Sequence, residues 1–380
     1  GNQNIHYIET RKEKLCCPEC KSRKIIRSGS IYRDIRSVPV GHRETILRMK
    51  VQRIECKECG CIRQEKIHFV TGKRSYTNKF ARYVVDLSRI GTIKDVAQFL
   101  NISWDTVKDI QKRYLQRHYG NPDLSKLEYI GIDEFAVRKG HVYKTIVVNL
   151  LTGQVVYVGD GKGADALDKF WKKVRKAKTR IKAVATDLSA AFISSVKENA
   201  PEATLVFDHF HVVKLMNDTL DKLRRQAYNQ EADLMKRKVL KGARWLLLCN
   251  GEDIYDSCHR NRLENALEMN APLMKGYYLK ESLREIWMQV TKEQAEQVLK
   301  DWVKQAQDSK VPLLQKYAMT LLAHRSGILS WYEHHISTGK IEGINNKIKT
   351  MKRQAYGYRD EKFFELKILS LHDKNYAFVG

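Results

Sequence analysis

Residues 127–211 restrict the fold more than any other part of the sequence, because strand and helix patterns alternate there in a fixed order. Apolar runs rich in β-branched and aromatic residues predict five strands, which cover residues 127–136, 142–150, 155–159, 181–186 and 204–208. Helical spacing of apolar residues predicts one helix before the fourth strand and another after it. This succession predicts an α/β sheet that is covered by helices.

Two aspartates lie at related positions in this pattern. Asp133 falls inside the first strand, and Asp187 closes the fourth. A buried carboxylate costs free energy unless a positive group compensates it, so two aspartates at strand ends can share one metal site. The order of the elements is that of an RNase H-like core, in which carboxylates at such ends hold two metal ions.

A core of this kind still needs a helix that carries its last carboxylate. Residues 212–325 lie between the fifth predicted strand and this helix. Their helical spacing and mixed charge predict an all-helical insertion domain. Three tryptophans are predicted to pack the core of this insertion, namely Trp245, Trp287 and Trp302. The alternative is that one of them stacks on a flipped base.

The missing helix is predicted over residues 341–353. Ile341 and Ile344 begin its apolar stripe, and Glu342 lies at the edge of the stripe in the first turn, from which it could reach the metals. Three polar residues follow on the same flank, where they can hold the DNA backbone beside the cut: Asn345, Lys349 and Arg353.

A cysteine-rich segment lies near the start of the chain. Six of the eight cysteines fall within residues 16–61, and four of them form two C-x2-C pairs, Cys17 with Cys20 and Cys56 with Cys59. This spacing lets both thiolates of a tight turn reach one tetrahedral zinc ion, and two pairs complete four ligands. Alternating residues between the pairs predict strands that bring them together. Cys16 and Cys61 are interpreted as free thiols, although either could replace a neighbouring ligand.

The next segment shows the helix-turn-helix pattern. Apolar residues at helical spacing predict three helices within residues 76–118, and Thr92 with Asp95 three residues later predicts a capping box. Ser103 is predicted to cap the third helix. Its outer face carries residues that would meet bases and phosphates, among them Lys108, Lys112 and Arg113. The alternative is a small three-helix bundle without a role in DNA binding.

The charge of the chain favours a nucleic-acid partner. Lys and Arg number 69 against 44 Asp and Glu, which gives a formal charge of +25 and a pI near 9.6. No apolar stretch approaches the roughly 18 residues of a membrane span, and the start is not a signal peptide. We therefore expect a cytoplasmic protein that does not bind membranes. Because the sequence opens with Gly1, we expect a processed or trimmed start.

The predicted fold class is an α/β RNase H-like catalytic core with an all-helical insertion, preceded by a zinc-ribbon-like module and a helix-turn-helix. The five predicted domains, in order, are the zinc-binding module at 1–75, the helix-turn-helix at 76–124, the first part of the core at 125–211, the insertion at 212–325 and the last part of the core at 326–380.

Five short segments resemble those of bacterial insertion-sequence transposases of the "ISL-three" group. The segments are Gly131-Ile-Asp-Glu-Phe135, Asp187-Leu-Ser189, Phe207-Asp-His-Phe-His-Val212, Glu342-Gly-Ile-Asn345 and Lys352-Arg-Gln-Ala-Tyr-Gly-Tyr358. The resemblance spans nearly the whole chain and includes an N-terminal zinc module ahead of a helix-turn-helix. One departure is visible, because the family usually reads Ser-Asn-Gly where this chain has Ser337-Thr338-Gly339. We also expect the short leader that usually precedes the zinc module to be absent from this sequence, in keeping with a trimmed start.

The resemblance implies a DDE transposase in which Asp133, Asp187 and Glu342 form the catalytic triad. It implies double-stranded DNA as partner, both the inverted repeats at transposon ends and the target, and a homodimer in the DNA complex. Asp208 becomes a candidate accessory residue as part of the family's Asp-x-Phe-His motif. His209 and His211 in the same motif are either catalytic or hydrogen-bonded spacers at a strand end.

Three carboxylates suit two Mg²⁺ (or Mn²⁺) ions, which prefer oxygen ligands. Such a site would activate a water, and later a 3′-hydroxyl, for strand cleavage at the transposon ends and for strand transfer into target DNA. Two alternatives stay open. One is a transcription regulator with a zinc module, a helix-turn-helix and an inactive nuclease-like core, and the other is a structure-specific nuclease.

Overall fold

The computed structural model describes residues 3–138, 140 and 142–372. Its strands are β1 (Gln3–Glu9), β2 (Ile25–Val40), β3 (Arg43–Cys56), β4 (Ile62–Gln64), β5 (Tyr129–Arg138), β6 (Val142–Asn149), β7 (Val155–Asp160), β8 (Ala183–Thr186) and β9 (Thr204–Phe207). Of the described residues, those up to Asn121 and Met351–Lys367 form one compact unit, and Pro122–Thr350 with Ile368–His372 form the other.

Along the chain, the α-helices form a short N-terminal group and a long later series. They are α1 (Asn78–Ile90), α2 (Ile93–Leu100), α3 (Trp104–Tyr119), α4 (Asp168–Ala177), α5 (Ala190–Asn199), α6 (His209–Gln230), α7 (Leu234–Gly242), α8 (Arg244–Leu248), α9 (Ser257–Glu268), α10 (Ala271–Leu283), α11 (Lys292–Asp308), α12 (Pro312–Ala323), α13 (Arg325–Leu329), α14 (Trp331–His334), α15 (Gly339–Gln354) and α16 (Glu361–Leu369). Within the described ranges, none of them is long and apolar enough to cross a membrane.

The first unit begins with a sheet in the order β1-β3-β2, and β4 pairs with β3. The long strands β2 and β3 are antiparallel, with Ile25 opposite Cys56. Residues on one face, such as Ile35 and Met49, are buried in a small core. The hairpin joins the segment just after the first cysteine pair to the start of the second, as the alternating sequence predicts.

Helices α1, α2 and α3 pack around a second small core in this unit, which includes Phe80, Val96 and Val107. Thr92 and Asp95 form the expected capping box, and the Ser103 hydroxyl accepts the backbone N–H of Thr106. Asn101 has a φ of +50° at the end of α2, a left-handed conformation that asparagine tolerates better than most residues. The helices expected in this segment are thereby confirmed.

The second unit contains a five-stranded sheet in the order β7-β6-β5-β8-β9. Strands β5, β6 and β7 are antiparallel neighbours, whereas β8 is parallel to β5 and to β9. Helices α4 and α5 cover the sheet with apolar side chains that include Phe170, Trp171 and Phe192. The buried indole of Trp171 donates to the Ser195 hydroxyl at 2.8 Å. All five expected strands are present, with small shifts at their ends.

A large helical region follows β9 and has its own core. Trp302 is 2% exposed and its indole donates to the Leu279 carbonyl at 2.8 Å, so its predicted place in the core is confirmed. Trp287 is half-buried and packs against this core. The prediction for Trp245 is wrong, since 71% of it is exposed on the short helix α8, with Arg244 4.9 Å over its ring.

Helix α15 returns the chain to the sheet. Its apolar face buries Ile341, Ile344 and Ile348. Ile341 lies so close to Gly131 on β5 that a Cβ on this glycine would be 2.2 Å from the isoleucine Cδ1. The Lys340 ammonium donates to the Leu150 carbonyl at 2.5 Å. Glycine at position 131 therefore allows the first turn of α15 to lie directly on β5.

Candidate active site

Strand pairing puts Asp133 and Asp187 side by side. In the parallel pair β5 and β8, Gly131 is opposite Ala185, so each aspartate lies two residues beyond the same rung. Both side chains are half-buried. The pKa of Asp133 is raised to about 6, first because burial disfavours its charged form and then because the charge of Asp187 repels it. The two carboxylates therefore share one environment, as the strand pattern predicts.

Hydrogen bonds fix the orientation of both carboxylates. Asp133 accepts the backbone N–H of Glu134 at 2.8 Å on one oxygen and the side-chain amide of Asn345 at 2.7 Å on the other. Asp187 accepts the backbone N–H of Ser189 at 3.0 Å. Burial also raises the pKa of Glu134, and the charges of Asp187 and Asp133 raise it further. Negative charge is thus concentrated just past the end of β8 and beside the middle of β5.

Glu342 is exposed in the first turn of α15. Its helix is tied to Asp133 through Asn345, which lies one turn later and is 8% exposed. The structure therefore turns Asn345 towards the carboxylates, whereas the sequence led us to expect a contact with the DNA backbone. Lys349 and Arg353, which follow on the helix, are exposed.

Asp208 directly follows β9 and is 2% exposed. One oxygen accepts the backbone N–H of Phe210 at 2.8 Å and thereby caps α6. The other accepts the backbone N–H of Thr338 at 2.5 Å and also contacts its hydroxyl. His209 Nδ1 lies 3.3 Å from the first oxygen, and His211 is half-buried in the first turn of α6.

The four cysteines expected to bind zinc come together. Each offers a sulfur, and all four sulfurs lie within 4.8 Å of one another, with Cys17 3.6 Å from Cys59 and Cys20 3.5 Å from Cys56. In the described part of the chain, this is the one group of three or more His, Cys, Asp or Glu side chains clustered so tightly. The carboxylates of Asp133, Asp187 and Glu342 do not form a group as tight as this.

Both cysteine pairs have the same backbone geometry. The backbone N–H of Lys21 donates to the Cys17 carbonyl, and that of Gly60 donates to the Cys56 carbonyl, each at 3.0 Å. Lys21 and Gly60 are both left-handed, with φ of 64° and 66°. The backbone N–H of Cys20 contributes most to lowering the pKa of the Cys17 thiol to about 6. Cys16 and Cys61, at the edges of the segment, are half-buried.

The basic residues expected on α3 have partners within their own unit. The ammonium groups of Lys108 and Lys112 lie 3.1 and 2.8 Å from the Asp360 carboxylate. The hydrogen bond from Lys112 is the main reason that the pKa of Asp360 is held well below its usual range. Arg113 contacts Asp109 at 3.2 Å and donates to the Tyr76 hydroxyl at 3.0 Å. The sequence led us to expect these side chains to be free for contacts with bases and phosphates, but in the structure they already have partners.

Three family models match this chain, in the order in which its segments occur. A model described as a zinc-finger of transposase IS204/IS1001/IS1096/IS1165 matches residues 13–59, and one described as the helix-turn-helix domain of transposase family ISL3 matches residues 65–115. The DDE model of the same group, described as a transposase, matches residues 130–368.

Full-length relatives agree with the family models. The chain is 34% identical to the transposase for insertion sequence element IS1001 of Bordetella parapertussis, over 95% of this chain and 90% of that protein. It is 28% identical to the transposase for insertion sequence element IS1557 of Mycobacterium tuberculosis, over 87% of this chain and 79% of that protein. The solved Drosophila P element transposase strand transfer complex is 12% identical, with a TM-score of 0.43 over 80% of this chain and 93% of the solved one, which is too distant to add to the assignment. The chain belongs to the ISL3 family of insertion-sequence transposases.

Proposed function

We propose that this chain is a DDE transposase that binds the inverted repeats at transposon ends and cleaves DNA at an RNase H-like core. Asp133, Asp187 and Glu342 are the residues to which we assign catalysis and the binding of two Mg²⁺ (or Mn²⁺) ions. The observation that carries the proposal is the pairing of β5 with β8, since it brings two carboxylates together and lets one raise the pKa of the other.

The donor set fits hard divalent cations. All three proposed ligands are carboxylates, and oxygen ligands are those that Mg²⁺ prefers. Two half-buried carboxylates of like charge are unfavourable unless a cation compensates them. With a pKa of about 6, Asp133 is mostly ionised at neutral pH and is ready to bind a cation. The exposure of Glu342 leaves it free to approach the same ions from α15.

The chemistry that two bound metal ions supply is activation of the attacking water or 3′-hydroxyl and stabilisation of the leaving 3′-oxygen. The protein's own part is orientation. The Asn345 amide holds one oxygen of Asp133 in place, and we assign the exposed Lys349 and Arg353 to binding of the DNA backbone. Lys214 adds positive charge, since it lowers the pKa of Asp133.

We assign structural zinc to Cys17, Cys20, Cys56 and Cys59, because four convergent thiols in two tight turns match a tetrahedral zinc site. We further assign DNA-end recognition to the helix-turn-helix, supported by a formal charge of +25. The homodimer, the action on DNA in the cytoplasm and the bounds of the five domains stay predictions. Residues 1–2 and 373–380, at the two ends of the predicted domains, lie outside the described residues.

The test is a reaction with duplexes made from the DNA that flanks the coding gene on either side, where the ends of an insertion sequence would lie. In Mg²⁺, we expect nicks with 3′-hydroxyl ends at fixed positions and later joining of those ends to plasmid DNA. A regulator with an inactive core would bind a duplex without cutting it. A structure-specific nuclease would cut branched or flapped DNA regardless of the flanking sequence, and either result would contradict the proposal.

A further inference from the structure

We propose that Asp208 is a positioning residue that fixes the start of the helix carrying Glu342 to the strand end beside Asp187. This inference rests on the proposed function, because it assigns a role within the proposed catalytic site. It gives the Asp-x-Phe-His motif a physical task that neither its sequence nor the family match specifies.

The first step is the bond between Asp208 and the segment before α15. One carboxylate oxygen accepts both the backbone N–H of Thr338, at 2.5 Å, and the Thr338 hydroxyl. Both residues are buried, at 2% and 4% exposure. Hydrogen bonds from two donors to one buried carboxylate are stronger than bonds between neutral groups. The loop between α14 and α15 is therefore held at one defined point.

The second step connects this point to the catalytic helix. The Thr338 carbonyl accepts the backbone N–H of Ile341 at 2.8 Å and that of Glu342 at 3.0 Å. Thr338 is thus the residue on which the hydrogen bonds of α15 begin. Thr338 alone therefore links the carboxylate of Asp208 to the backbone of Glu342 through hydrogen bonds.

The third step connects Asp208 to the second catalytic strand. The backbone N–H of Asp208 donates to the Thr186 carbonyl at 3.5 Å, at the rung where β8 and β9 end. Asp187 is the next residue after Thr186. Asp208 therefore lies between the two chain segments that carry Asp187 and Glu342, which come from distant parts of the sequence.

The geometry argues against Asp208 as a metal ligand itself. Its first oxygen is used by the Phe210 N–H and lies 3.3 Å from His209 Nδ1, and its second is used by Thr338. With 2% exposure, the carboxylate is closed to DNA, and both of its oxygens already accept hydrogen bonds. The carboxylate acts through the backbone of Thr338 and not on the reacting atoms.

The side chain at position 338 gives a direct test of this role. Threonine, serine and asparagine side chains can each donate a hydrogen bond, whereas a valine side chain cannot. A donor at this position is what the Asp208 carboxylate requires. Thr338→Val removes the hydroxyl with almost no change in shape, whereas Thr338→Ser and Thr338→Asn keep a donor.

Hydrogen–deuterium exchange of the full-length zinc-loaded protein tests the positioning without requiring activity. We expect Thr338→Val and Asp208→Asn to speed exchange in the peptide that holds the Ile341 and Glu342 amides by about tenfold, on the scale of a lost bond to a charged group. Thr338→Ser should exchange as the unaltered protein does. Asp256→Asn is the matched control, because Asp256 caps α9 through the His259 N–H.

Single-turnover cleavage of a bound flanking duplex gives the second readout. We expect Thr338→Val to lower the cleavage rate about tenfold with unchanged affinity for the duplex, and Thr338→Asn to restore the rate. Unchanged exchange in Thr338→Val, or faster exchange with an unchanged cleavage rate, would overturn the proposal. If the unaltered protein cleaves no duplex at all, the proposed function fails, and the exchange measurement still decides whether Asp208 positions α15.

Discussion

Replacing Asp133 with asparagine should stabilise the metal-free protein while it abolishes cleavage. The pKa of Asp133 is raised from 3.8 to about 6, and one pKa unit corresponds to about 1.4 kcal/mol. The full shift therefore sets an upper limit of about 3 kcal/mol on the cost of ionising Asp133 in the folded state. Because the side chain is only half-buried, solvent screening reduces this cost, and we expect about 1–2 kcal/mol.

The neighbourhood of Asp133 can accept the change. An asparagine at this position keeps one oxygen for the Glu134 N–H, and its amide group then faces Asn345. The Oδ1 of Asn345 is buried without a hydrogen-bond partner. Rotation of the Asn345 amide by half a turn would present this oxygen to the new amide. The variant therefore loses a charge and exchanges one unpaired buried atom for another, because the Asn345 amide nitrogen then occupies the place of its unpaired oxygen.

The sign of the pH dependence follows from the raised pKa. The folded protein binds a proton more tightly than the unfolded chain, so ionisation of Asp133 costs nothing below about pH 4, costs increasingly more up to about pH 6 and costs its full amount above that. Asp133→Asn should therefore gain most at pH 8 and about half as much at pH 5. Added Mg²⁺ should stabilise the unaltered protein at pH 8 and stabilise the variant much less.

Scanning calorimetry of the zinc-loaded protein without Mg²⁺ is the assay. For a unit of this size, 1–2 kcal/mol corresponds to a rise in Tm of roughly 2–8 °C at pH 8. A lower Tm for Asp133→Asn at pH 8, or a difference that does not change between pH 8 and pH 5, would refute the reasoning from like charges.

Three further changes should each affect a separate part of the protein. Cys59→Ser should release zinc and unfold the N-terminal sheet first, as metal analysis and limited proteolysis would reveal, with Cys258→Ser as control; full zinc occupancy would contradict the four-thiolate site. Asp360→Asn should free the two lysines of α3 and raise affinity for the flanking duplex several-fold. The slope of log affinity against log salt concentration should steepen by up to about two units. Unchanged binding would show that those lysines do not contact DNA. Replacing Lys349 and Arg353 with glutamine should slow cleavage more than it weakens binding, and the reverse pattern would place end recognition on α15.

Short-range patterns were enough to predict much of this molecule. The C-x2-C spacing fixes which cysteines can share a metal, and the hairpin between them brings the pairs together. Capping residues mark the starts of α2 and α3. The strand pattern predicts that Asp133 and Asp187 can share one site, and the parallel pairing of β5 with β8 puts them level with each other. Each of these inferences depends on residues close in sequence or on a simple rule of sheet pairing.

Asn345 shows a signal that the sequence contained but that we assigned differently. It follows Ile341 by four residues and precedes Ile348 by three, so it lies on the apolar face of α15 as well as on the flank of Glu342. A polar residue in that position needs a buried partner. The structure supplies Asp133, 212 residues away, as that partner.

Other features depend on contacts that no local pattern contains. Asp208 and Thr338 are 130 residues apart, and Lys112 and Asp360 are 248 apart, so only the folded chain brings them together. Trp245 lies on a helix of five residues, which is too short to show which face is buried. We predicted a core position for Trp245 from its hydrophobicity alone, but in the structure its side chain is exposed.

The central claim is that three carboxylates from distant segments form one metal-dependent site, and Glu342→Gln tests it most directly. Single-turnover cleavage of a flanking duplex in Mg²⁺ should fall by at least about a thousandfold, because the change removes a metal ligand's charge without removing bulk. Duplex affinity should stay within about twofold. Glu264→Gln, at an exposed glutamate of α9, is the matched control and should cleave normally. Cleavage by Glu342→Gln within about tenfold of the unaltered protein would contradict the account.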